Sequence, residues 1–335
     1  GVRGIVVAQD HISDPALTRW KTQGVACIAV ENTTLALGAL AHGIRKAAGV
    51  SLVAITGSNG KTTTREMTGK VMAQQFAVLA TQGNLNNEIG LPLTLFNLEP
   101  HHQWAVVELG MNHPGEISRL AAICTPDIGV ITNIAPAHLE GLQSVEGVAQ
   151  AKGELLDHVE PAGKVALNAD DEHILRLGAR ARCDILWYGI SSDADIRAEA
   201  MEMTPQGVVF TLALPSERLD VQLPTHGTFM VTNALAAAAV GHLAGVPGAA
   251  IKAGLEAFAP VKGRLNIALS KTGVHYIDDT YNANPSSMTA AIETLAAVKA
   301  GQRGAAVLGD MLEMGPESAL WHTRIGEKCG QAALS

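Results

Sequence analysis

Short apolar runs alternate with helical segments along the middle of the chain. Runs of three or four apolar residues occupy 52–55, 104–107, 128–131 and 165–167, and segments with helical periodicity separate them. Strands that are apolar on both faces are typical of a parallel sheet covered by helices on both sides. The pattern therefore predicts an α/β fold whose sheet is largely parallel.

The flanks of this region show different patterns. Before it, strand-like runs at 4–7 and 26–30 precede a helix that ends near Lys46. After it, Pro and Gly interrupt shorter runs between about 184 and 224, which predicts an antiparallel addition to the sheet. Further along the chain we expect helices at 233–243 and 249–258, a strand at 274–277, a helix at 286–298, a strand at 305–308 and a helix after Pro316.

The composition excludes several classes of protein. The 335 residues are 47% hydrophobic and only 17% charged, so the chain can bury a sizeable core and is not intrinsically disordered. The formal net charge is −8 and no cluster of Lys and Arg is present, which argues against a nucleic-acid partner. No apolar run approaches the roughly 18 residues of a membrane span, and the N-terminus does not resemble a signal peptide.

The four cysteines indicate the redox compartment. Cys27, Cys124, Cys183 and Cys329 are scattered, without CxxC or Cys/His spacing. This usage fits reduced structural thiols better than disulfides or a zinc site. We therefore expect a cytoplasmic protein.

A glycine-rich segment follows the apolar run at 52–55 and precedes a helix that begins near Lys61. Backbone N–H groups in such a loop curl around phosphate oxygens, Lys61 reaches the outer phosphates, and the Thr62 hydroxyl can bind Mg²⁺. The spacing departs from GxxxxGK[ST], because position 55 is Ile and the first glycine is Gly57. The alternative is a plain turn with a surface lysine. The predicted nucleotide-binding residues of this loop are Gly57, Ser58, Asn59, Gly60, Lys61, Thr62 and Thr63.

Polar residues follow two of the other apolar runs. Ligands of an open parallel sheet bind beyond the carboxyl ends of its strands, where Glu108 and His138 are expected. Glu108 could bind Mg²⁺ directly or through water, and His138 could supply a further ligand. Each residue alone could equally be a solvated loop residue.

Lys152 lies on the apolar stripe of a helix predicted over 144–159. A lysine in this position either extends its ammonium to water or has its charge suppressed by burial. A neutral amine can add CO₂ to form a carbamate, which is an anionic metal ligand. The stripe alone favours extension to water.

These motifs, in this order, resemble the ATP-dependent Mur ligase family. The shared segments are 56–62, 108–110, 137–140, 151–154, 233–236 and 278–284. Three further segments, 83–90, 111–117 and 309–315, are similar to the branch of the family that adds D-alanyl-D-alanine. The resemblance extends over nearly the whole chain.

The resemblance implies three domains: a partial N-terminal UDP-sugar-binding domain at 1–50, a central ATP-binding domain at 51–260, and a partial, Rossmann-like C-terminal domain at 261–335. We expect both outer domains to be incomplete, since the chain starts at Gly1 and stops within a predicted helix. On that expectation the chain binds nucleotide but ligates poorly.

The resemblance also implies roles for individual residues. Lys61, His138, Lys152 and Arg264 are the expected catalytic residues, and Arg264 is expected to reach the γ-phosphate. Two Mg²⁺ ions are implied, one bound by Thr62 and Glu108, the other by His138 and carbamylated Lys152. Asn233 and Asp279 are expected near the adenosine, and Asn84 and Asn87 near the UDP-muramoyl substrate, although an Asn/Gly-rich loop is more often plain turn structure. Relatives carry a His-Asn pair where this chain has Phe229 and Met230, so no adenine contact is assigned there.

The activity implied is ATP-dependent ligation of D-Ala-D-Ala to UDP-N-acetylmuramoyl-tripeptide through an acyl phosphate, by a monomer, in peptidoglycan precursor synthesis. Three alternatives are a sister ligase of the folylpolyglutamate or diaminopimelate-adding type, a P-loop NTPase acting as a switch, and a non-catalytic nucleotide or UDP-sugar binding module. These alternatives differ in which amine, if any, the protein needs in order to release phosphate from ATP.

Overall fold

A computed structural model describes residues 1–191, 193–271, 273–299 and 301–334. Its strands are β1 (Gly4–Ala8), β2 (Ala26–Val30), β3 (Ser51–Thr56), β4 (Val78–Ala80), β5 (Trp104–Glu108), β6 (Ile128–Ile131), β7 (Lys164–Asn168), β8 (Asp184–Gly189), β9 (Ile196–Thr204), β10 (Gly207–Ala213), β11 (Arg218–Leu223), β12 (Asn266–Leu269) and β13 (His275–Asp278).

Helices cover both faces of the main sheet and pack around the outer strands. They are α1 (Asp14–Thr22), α2 (Thr33–Ala48), α3 (Lys61–Met72), α4 (Gly90–Leu95), α5 (Glu116–Cys124), α6 (Leu139–Leu142), α7 (Val145–Gly153), α8 (Glu172–Gly178), α9 (Thr228–Leu243), α10 (Gly248–Glu256), α11 (Pro285–Val298) and α12 (Ser318–Gln331). Short 3₁₀ helices occupy Gln9–His11, Glu154–His158 and Gly315–Glu317.

Nine strands form the main sheet, in the order β11-β10-β9-β8-β7-β6-β3-β5-β4. The neighbours from β9 to β4 run parallel, and β10 pairs antiparallel with both β9 and β11. The prediction of an α/β fold with a largely parallel sheet is confirmed. The expected antiparallel addition at 184–224 is only partly right, because β8 and β9 extend the parallel sheet.

Each central strand contributes side chains to two separate cores. Leu52 and Ala54 of β3 belong to one apolar cluster, whereas Val53 and Ile55 belong to the other, on the opposite face. Alternate side chains of a strand point to opposite faces, so a continuously apolar strand serves both cores. The second core includes α9, which is buried along most of its length and begins at Thr228, five residues before the predicted start.

Smaller sheets lie on either side of the main one. β1 and β2 form a parallel pair, and β12 and β13 form an antiparallel hairpin. The strand predicted at 305–308 is not formed; within the described residues this part of the chain has only an isolated bridge between Gly304 and Leu334. Val307 is fully exposed, so no neighbouring strand or helix covers its apolar side chain.

Two further expectations can be compared with the fold. No disulfide joins the four cysteines, and burial raises the pKa of the Cys124 thiol to about 12. Within the described ranges, no helix combines the length and apolar character needed to cross a membrane.

Candidate active site

The phosphate-binding loop connects β3 to α3, as its sequence predicts. Gly57 and Gly60 have φ angles of 149° and 78°, which are accessible mainly to glycine. A Cβ at Gly57 would lie 1.8 Å from Thr132 Oγ1, and one at Gly60 would lie 2.2 Å from Asn233 Oδ1. Both glycines are therefore required by conformation and by space.

Hydrogen bonds fix this loop to the segment that follows β6. The Ser58 and Asn59 amides donate to the backbone and side-chain oxygens of Asn133, both at 2.9 Å. The Ser58 hydroxyl donates to the Ala135 carbonyl at 3.0 Å and accepts from the Ala135 amide at 2.9 Å. The loop is thus held in place by the protein itself, and the single proton of the Ser58 hydroxyl is used in holding it.

Lys61 begins α3 and folds back over the loop. Its Nζ donates to the Gly57 carbonyl at 2.8 Å and to the Ser58 carbonyl at 3.2 Å. Burial lowers the Lys61 pKa; Arg264 acts in the same direction, and Glu108 opposes it. The ammonium is therefore incompletely solvated and needs an anionic partner.

Thr62 and Glu108 place two hard oxygen donors together. Thr62 Oγ1 donates to Glu108 Oε2 at 3.0 Å, and Asn86 Nδ2 donates to Glu108 Oε1 at 2.8 Å. Buried Arg65 approaches the same carboxylate at 3.8 Å. A hydroxyl and a carboxylate are ligands that suit Mg²⁺, which usually completes its shell with water and substrate phosphates. The described residues contain no cluster of three or more His, Cys, Asp or Glu that could hold a metal ion.

Lys152 is buried near the end of α7, with an exposed fraction of 1%. Among the described residues its ammonium has no hydrogen bond or ion pair. Burial lowers its pKa well below the usual value, and the charge of Lys61 adds to the effect. The Lys152 side chain is therefore buried, whereas the apolar stripe of the sequence favoured an ammonium that extends to water. The helix predicted over 144–159 is broken after Gly153, where a 3₁₀ turn follows.

His138 precedes α6 in a left-handed conformation, with φ 53°. Its Nδ1 contacts the Glu313 carboxylate, which comes from the C-terminal part of the chain. Burial lowers the His138 pKa, the Glu313 hydrogen bond opposes this, and the positive charges of Lys152 and Lys61 lower it further. The charges of Lys152 and Lys61 thus both act on the His138 ring.

Residues after β11 complete the other wall of the site. Arg264 Nη2 lies 3.4 Å from Thr62 Oγ1, and its guanidinium stacks 4.0 Å from the centre of the Tyr281 ring. Asp279 accepts a hydrogen bond from the Leu265 amide at 3.1 Å, and burial raises its pKa to about 6. The C-terminal part of the chain thus brings a cation against the phosphate loop.

Asn233 lies on α9, behind the phosphate loop. It is 5% exposed, and its Oδ1 accepts from Thr64 Oγ1 at 3.3 Å. Met230 is also buried, with its sulfur 4.0 Å from Asn233 Nδ2. In this arrangement Asn233 supports Gly60 and faces away from open space.

The Asn-rich loop at 83–90 lies on the opposite side from α9. Asn87 Oδ1 accepts from the Gly90 amide at 2.8 Å and from the Ile89 amide at 3.2 Å, so it caps the start of α4. The Asn84 side chain is exposed. Asn86, whose amide binds Glu108, is the asparagine that joins this loop to the phosphate site, and sequence reasoning missed it.

A cavity of about 670 Å³ joins these elements. The predicted residues that line it are Ser58, Asn59, Gly60, Lys61, Thr62, Asn84, Asn87, Glu108, His138, Arg264 and Asp279. Gly57, Thr63, Lys152 and Asn233 are not among the residues that line it. Sequence reasoning missed six residues of the site: Arg65, Asn86, Asn133, Tyr281, Asn284 and Glu313. Four of them, Asn86, Tyr281, Asn284 and Glu313, lie within the family segments 83–90, 278–284 and 309–315, which could have indicated them.

The fold and this site define a class of ATP-dependent ligase. The model of the Mur ligase middle domain matches residues 55–241, and that of the Mur ligase glutamate ligase domain matches residues 263–334. The chain belongs to the Mur ligase family.

Its relatives in this family carry a more specific name. UDP-N-acetylmuramoyl-tripeptide--D-alanyl-D-alanine ligase of Escherichia coli is 41% identical over 308 residues, which are 91% of this chain and 68% of that protein. The enzyme of the same name from Haemophilus influenzae is 40% identical, over 98% of this chain and 70% of its own length.

Solved structures agree with this placement. MurF from Acinetobacter baumannii has a TM-score of 0.87 at 38% identity, covering 93% of this chain and 68% of its own. MurF ligase from Thermotoga maritima in complex with ADP has a TM-score of 0.85 at 26% identity, covering 98% of this chain and 79% of its own. A folylpolyglutamate synthase from Mycobacterium tuberculosis, at 20% identity and a TM-score of 0.64, shares the fold alone.

Proposed function

We propose that this chain ligates D-alanyl-D-alanine to UDP-N-acetylmuramoyl-tripeptide at the expense of ATP, in the cytoplasmic synthesis of peptidoglycan precursors. The observation that carries the proposal is the convergence of Lys61, Thr62, Glu108 and Arg264 on one cavity. These are a phosphate-binding lysine, two metal-binding oxygens and a second cation, which are the groups that phosphoryl transfer requires. The names of the relatives supply the substrates.

The reaction has two steps. A carboxylate oxygen of the tripeptide attacks the γ-phosphorus of ATP, the bond to the bridging oxygen breaks, and ADP leaves. The D-Ala-D-Ala amine then attacks the acyl carbon, the C–O bond to phosphate breaks, and phosphate and one proton are released. The new bond is an amide, and ATP supplies the leaving group that a free carboxylate lacks.

Lys61 and Arg264 offset the charge of the transferring phosphoryl group from two directions. Lys61 approaches from the phosphate loop, and Arg264 from the C-terminal part of the chain. The loop amides of Gly57, Gly60 and Thr63 would hold the remaining phosphate oxygens, whereas the Ser58 and Asn59 amides already donate to Asn133. Thr62 and Glu108 would hold Mg²⁺, which supplies further neutralisation of phosphate charge.

A second Mg²⁺ would be held by His138 and by Lys152 as its carbamate. The buried Lys152 amine has a lowered pKa and no ion-pair partner within the described residues, which favours the neutral, nucleophilic form. Its nitrogen attacks the carbon of CO₂, a C–N bond forms, and one N–H proton passes to solvent. The product is an anionic oxygen ligand whose charge the Lys61 ammonium would partly offset.

The remaining assignments follow from position. Asn84 and Asn87 would contact the UDP-muramoyl substrate, since both line the cavity. Asp279 would contact the adenosine, and Asn233 would act by supporting Gly60. We propose a monomer organised as a UDP-sugar region at 1–50, an ATP region at 51–260 and a closing region at 261–335.

The ligation proposal is tested by incubating the chain with ATP, UDP-muramoyl tripeptide and a panel of amines. We expect phosphate release and the pentapeptide mass only with D-Ala-D-Ala. Lys61→Ala should lower the rate by about 10³-fold, because it removes a cation from the transferring group. Lys70→Ala, an exposed lysine on the same helix, is the control. Phosphate release without an amine would instead identify an NTPase, and ligation of a different amine would identify a sister ligase.

The carbamate is tested with ¹³C-labelled bicarbonate and NMR. We expect one carbamate carbon signal that is absent from Lys152→Ala and present in Lys70→Ala. Lys152→Ala should also lose turnover, with partial rescue by bicarbonate or short-chain acids. Full activity of Lys152→Ala without rescue would contradict the carbamate.

A further inference from the structure

The segment 309–315 forms part of the site although none of the roles above uses it. Leu312, Glu313 and Met314 line the cavity, and Met311 and Met314 are each 2% exposed. Both methionines pack in the same apolar cluster as Leu139 and Leu142 of α6. A segment from the C-terminal part of the chain is therefore anchored in the core of the central part, beside His138.

Glu313 makes two contacts with the turn that carries His138. Its carboxylate contacts His138 Nδ1, and its carbonyl accepts from the Glu140 amide at 3.0 Å. Glu313 and His138 both have left-handed backbones, with φ 59° and 53°. Such conformations are strained in residues other than glycine, so the surrounding contacts must hold them.

The carboxylate contact selects a tautomer of His138. An ionised carboxylate only accepts hydrogen bonds, so Nδ1 must carry the proton. The lone pair of a neutral ring then lies on Nε2, the nitrogen that Glu313 does not contact. Metal-binding histidines usually have this arrangement, with the other ring nitrogen bonded to a carboxylate that fixes the ring and raises its basicity.

We propose that Glu313 is a positioning residue that fixes His138 as the Nδ1-protonated tautomer, so that docking of the C-terminal part of the chain completes the site for the metal–nucleotide complex. The proposal rests on the proposed function, because it takes His138 as a metal ligand. It gives the segment 309–315 a role in coupling domain closure to metal binding.

The tautomer is measured directly by ¹⁵N NMR of the histidine rings, with His138→Gln identifying the signal of His138. The wild-type ring should be protonated at Nδ1, whereas Glu313→Ala should shift it toward the Nε2-protonated form. A residue that only stabilised the fold would leave this signature unchanged. An unchanged tautomer in Glu313→Ala would overturn the proposal.

Metal affinity is measured by titrating Mn²⁺ into the chain with a non-hydrolysable ATP analogue. We expect binding to weaken about 10-fold in Glu313→Ala. Glu313→Gln should weaken it less, since its amide oxygen can still accept from Nδ1. Glu327→Gln, at an exposed glutamate with no hydrogen bond or ion pair among the described residues, should bind as wild type does.

The outcomes distinguish the positioning role of Glu313 from the proposed function on which it rests. If wild type binds Mn²⁺–nucleotide and Glu313→Ala binds equally well, the positioning role is wrong and the proposed function stands. If wild type shows no such binding, both are wrong. Urea unfolding of Glu313→Gln, which preserves the shape of the side chain, checks that a change in affinity does not come from unfolding.

Discussion

The phosphate loop faces the cavity from one side, and the lining residues between Arg264 and Met314, here called the C-terminal wall, face it from the other. The molecule holds these two regions in different ways. The loop is tied at Ser58 and Asn59 to the strand segment beside it, and its glycines leave no space for a side chain. The C-terminal wall reaches the central part through separate polar contacts, at Arg264, Asn284 and Glu313, and through the buried side chains of Met311 and Met314. One half of the site is built into a sheet, and the other half is docked onto it.

We therefore expect the phosphate loop to govern nucleotide binding and the C-terminal wall to govern the chemical step. Rigid backbone amides bind phosphate without a further cost of ordering, so the loop can hold nucleotide by itself. Within the described residues, the wall contributes no strand to the main sheet, so its displacement would break side-chain contacts and leave that sheet intact. Closure over a bound nucleotide excludes the water that would hydrolyse an acyl phosphate.

The largest expected effect tests the rigidity of the loop. Gly57→Ala should destabilise the chain by about 3 kcal/mol, because the new Cβ meets Thr132 Oγ1 and φ is unfavourable. Urea unfolding measures the loss, and calorimetry should show weaker binding of an ATP analogue.

Gly43→Ala is the matched control for this substitution. Gly43 lies within α2, and no atom lies within 4 Å of the Cβ it would gain. Because alanine favours helix over glycine, we expect a gain of about 0.5–1 kcal/mol. Equal stability of the two variants would show that the loop is not rigid.

A smaller effect, on the C-terminal side, concerns Asp279. Its pKa is raised by burial to about 6 in the folded chain, from 3.8. The folded state therefore holds its proton more tightly, and wild type loses stability as pH rises between about 4 and 6. Asp279→Asn should be more stable than wild type by about 1 kcal/mol at pH 8 and equal to it below pH 4, as measured by urea unfolding at each pH.

Asp278→Asn provides a control of opposite sign. A hydrogen bond from the Thr280 side chain lowers the pKa of Asp278, so its contribution to stability is present above about pH 4 and is lost as pH falls. The Asn variant should be slightly less stable than wild type at neutral pH. If both variants were more stable than wild type at neutral pH, or both less stable, this explanation of the two pKa shifts would be wrong.

The smallest effect isolates one docking contact. Asn284 caps α11 through the Ser287 amide and donates from Nδ2 to Asn59 Oδ1 at 2.6 Å. Asn284→Ser keeps a capping oxygen but loses the second contact, so helix stability should change by a few tenths of a kcal/mol. We expect affinity for an ATP analogue to fall about fivefold, since one hydrogen bond is lost.

Asn284→Asp sharpens this test. Aspartate also caps a helix, but it places an acceptor opposite the Asn59 oxygen and should weaken binding more than serine does. If both variants bind the analogue as wild type does, the contact between Asn284 and Asn59 has no part in closure.

Sequence reasoning succeeded where local pattern and chemistry coincide. The parallel strands, the loop between β3 and α3, and the polar residues at the strand ends all follow from short segments of chain. The prediction of a strand at 305–308 is wrong: these residues are apolar, but they pair with no other strand in the described part of the chain. A strand depends on its neighbours, and apolar residues alone do not supply them.

The sequence by itself determined the class of fold, the phosphate loop and the residue types of the site, because glycine conformation, apolar periodicity and ligand chemistry are local properties. Only the tertiary structure decided that Lys152 is buried without an ion pair among the described residues, that Asn86 binds Glu108, and that Glu313 reaches His138. Burial and long-range contacts depend on how distant segments pack, and no local pattern encodes which segment will supply the neighbour.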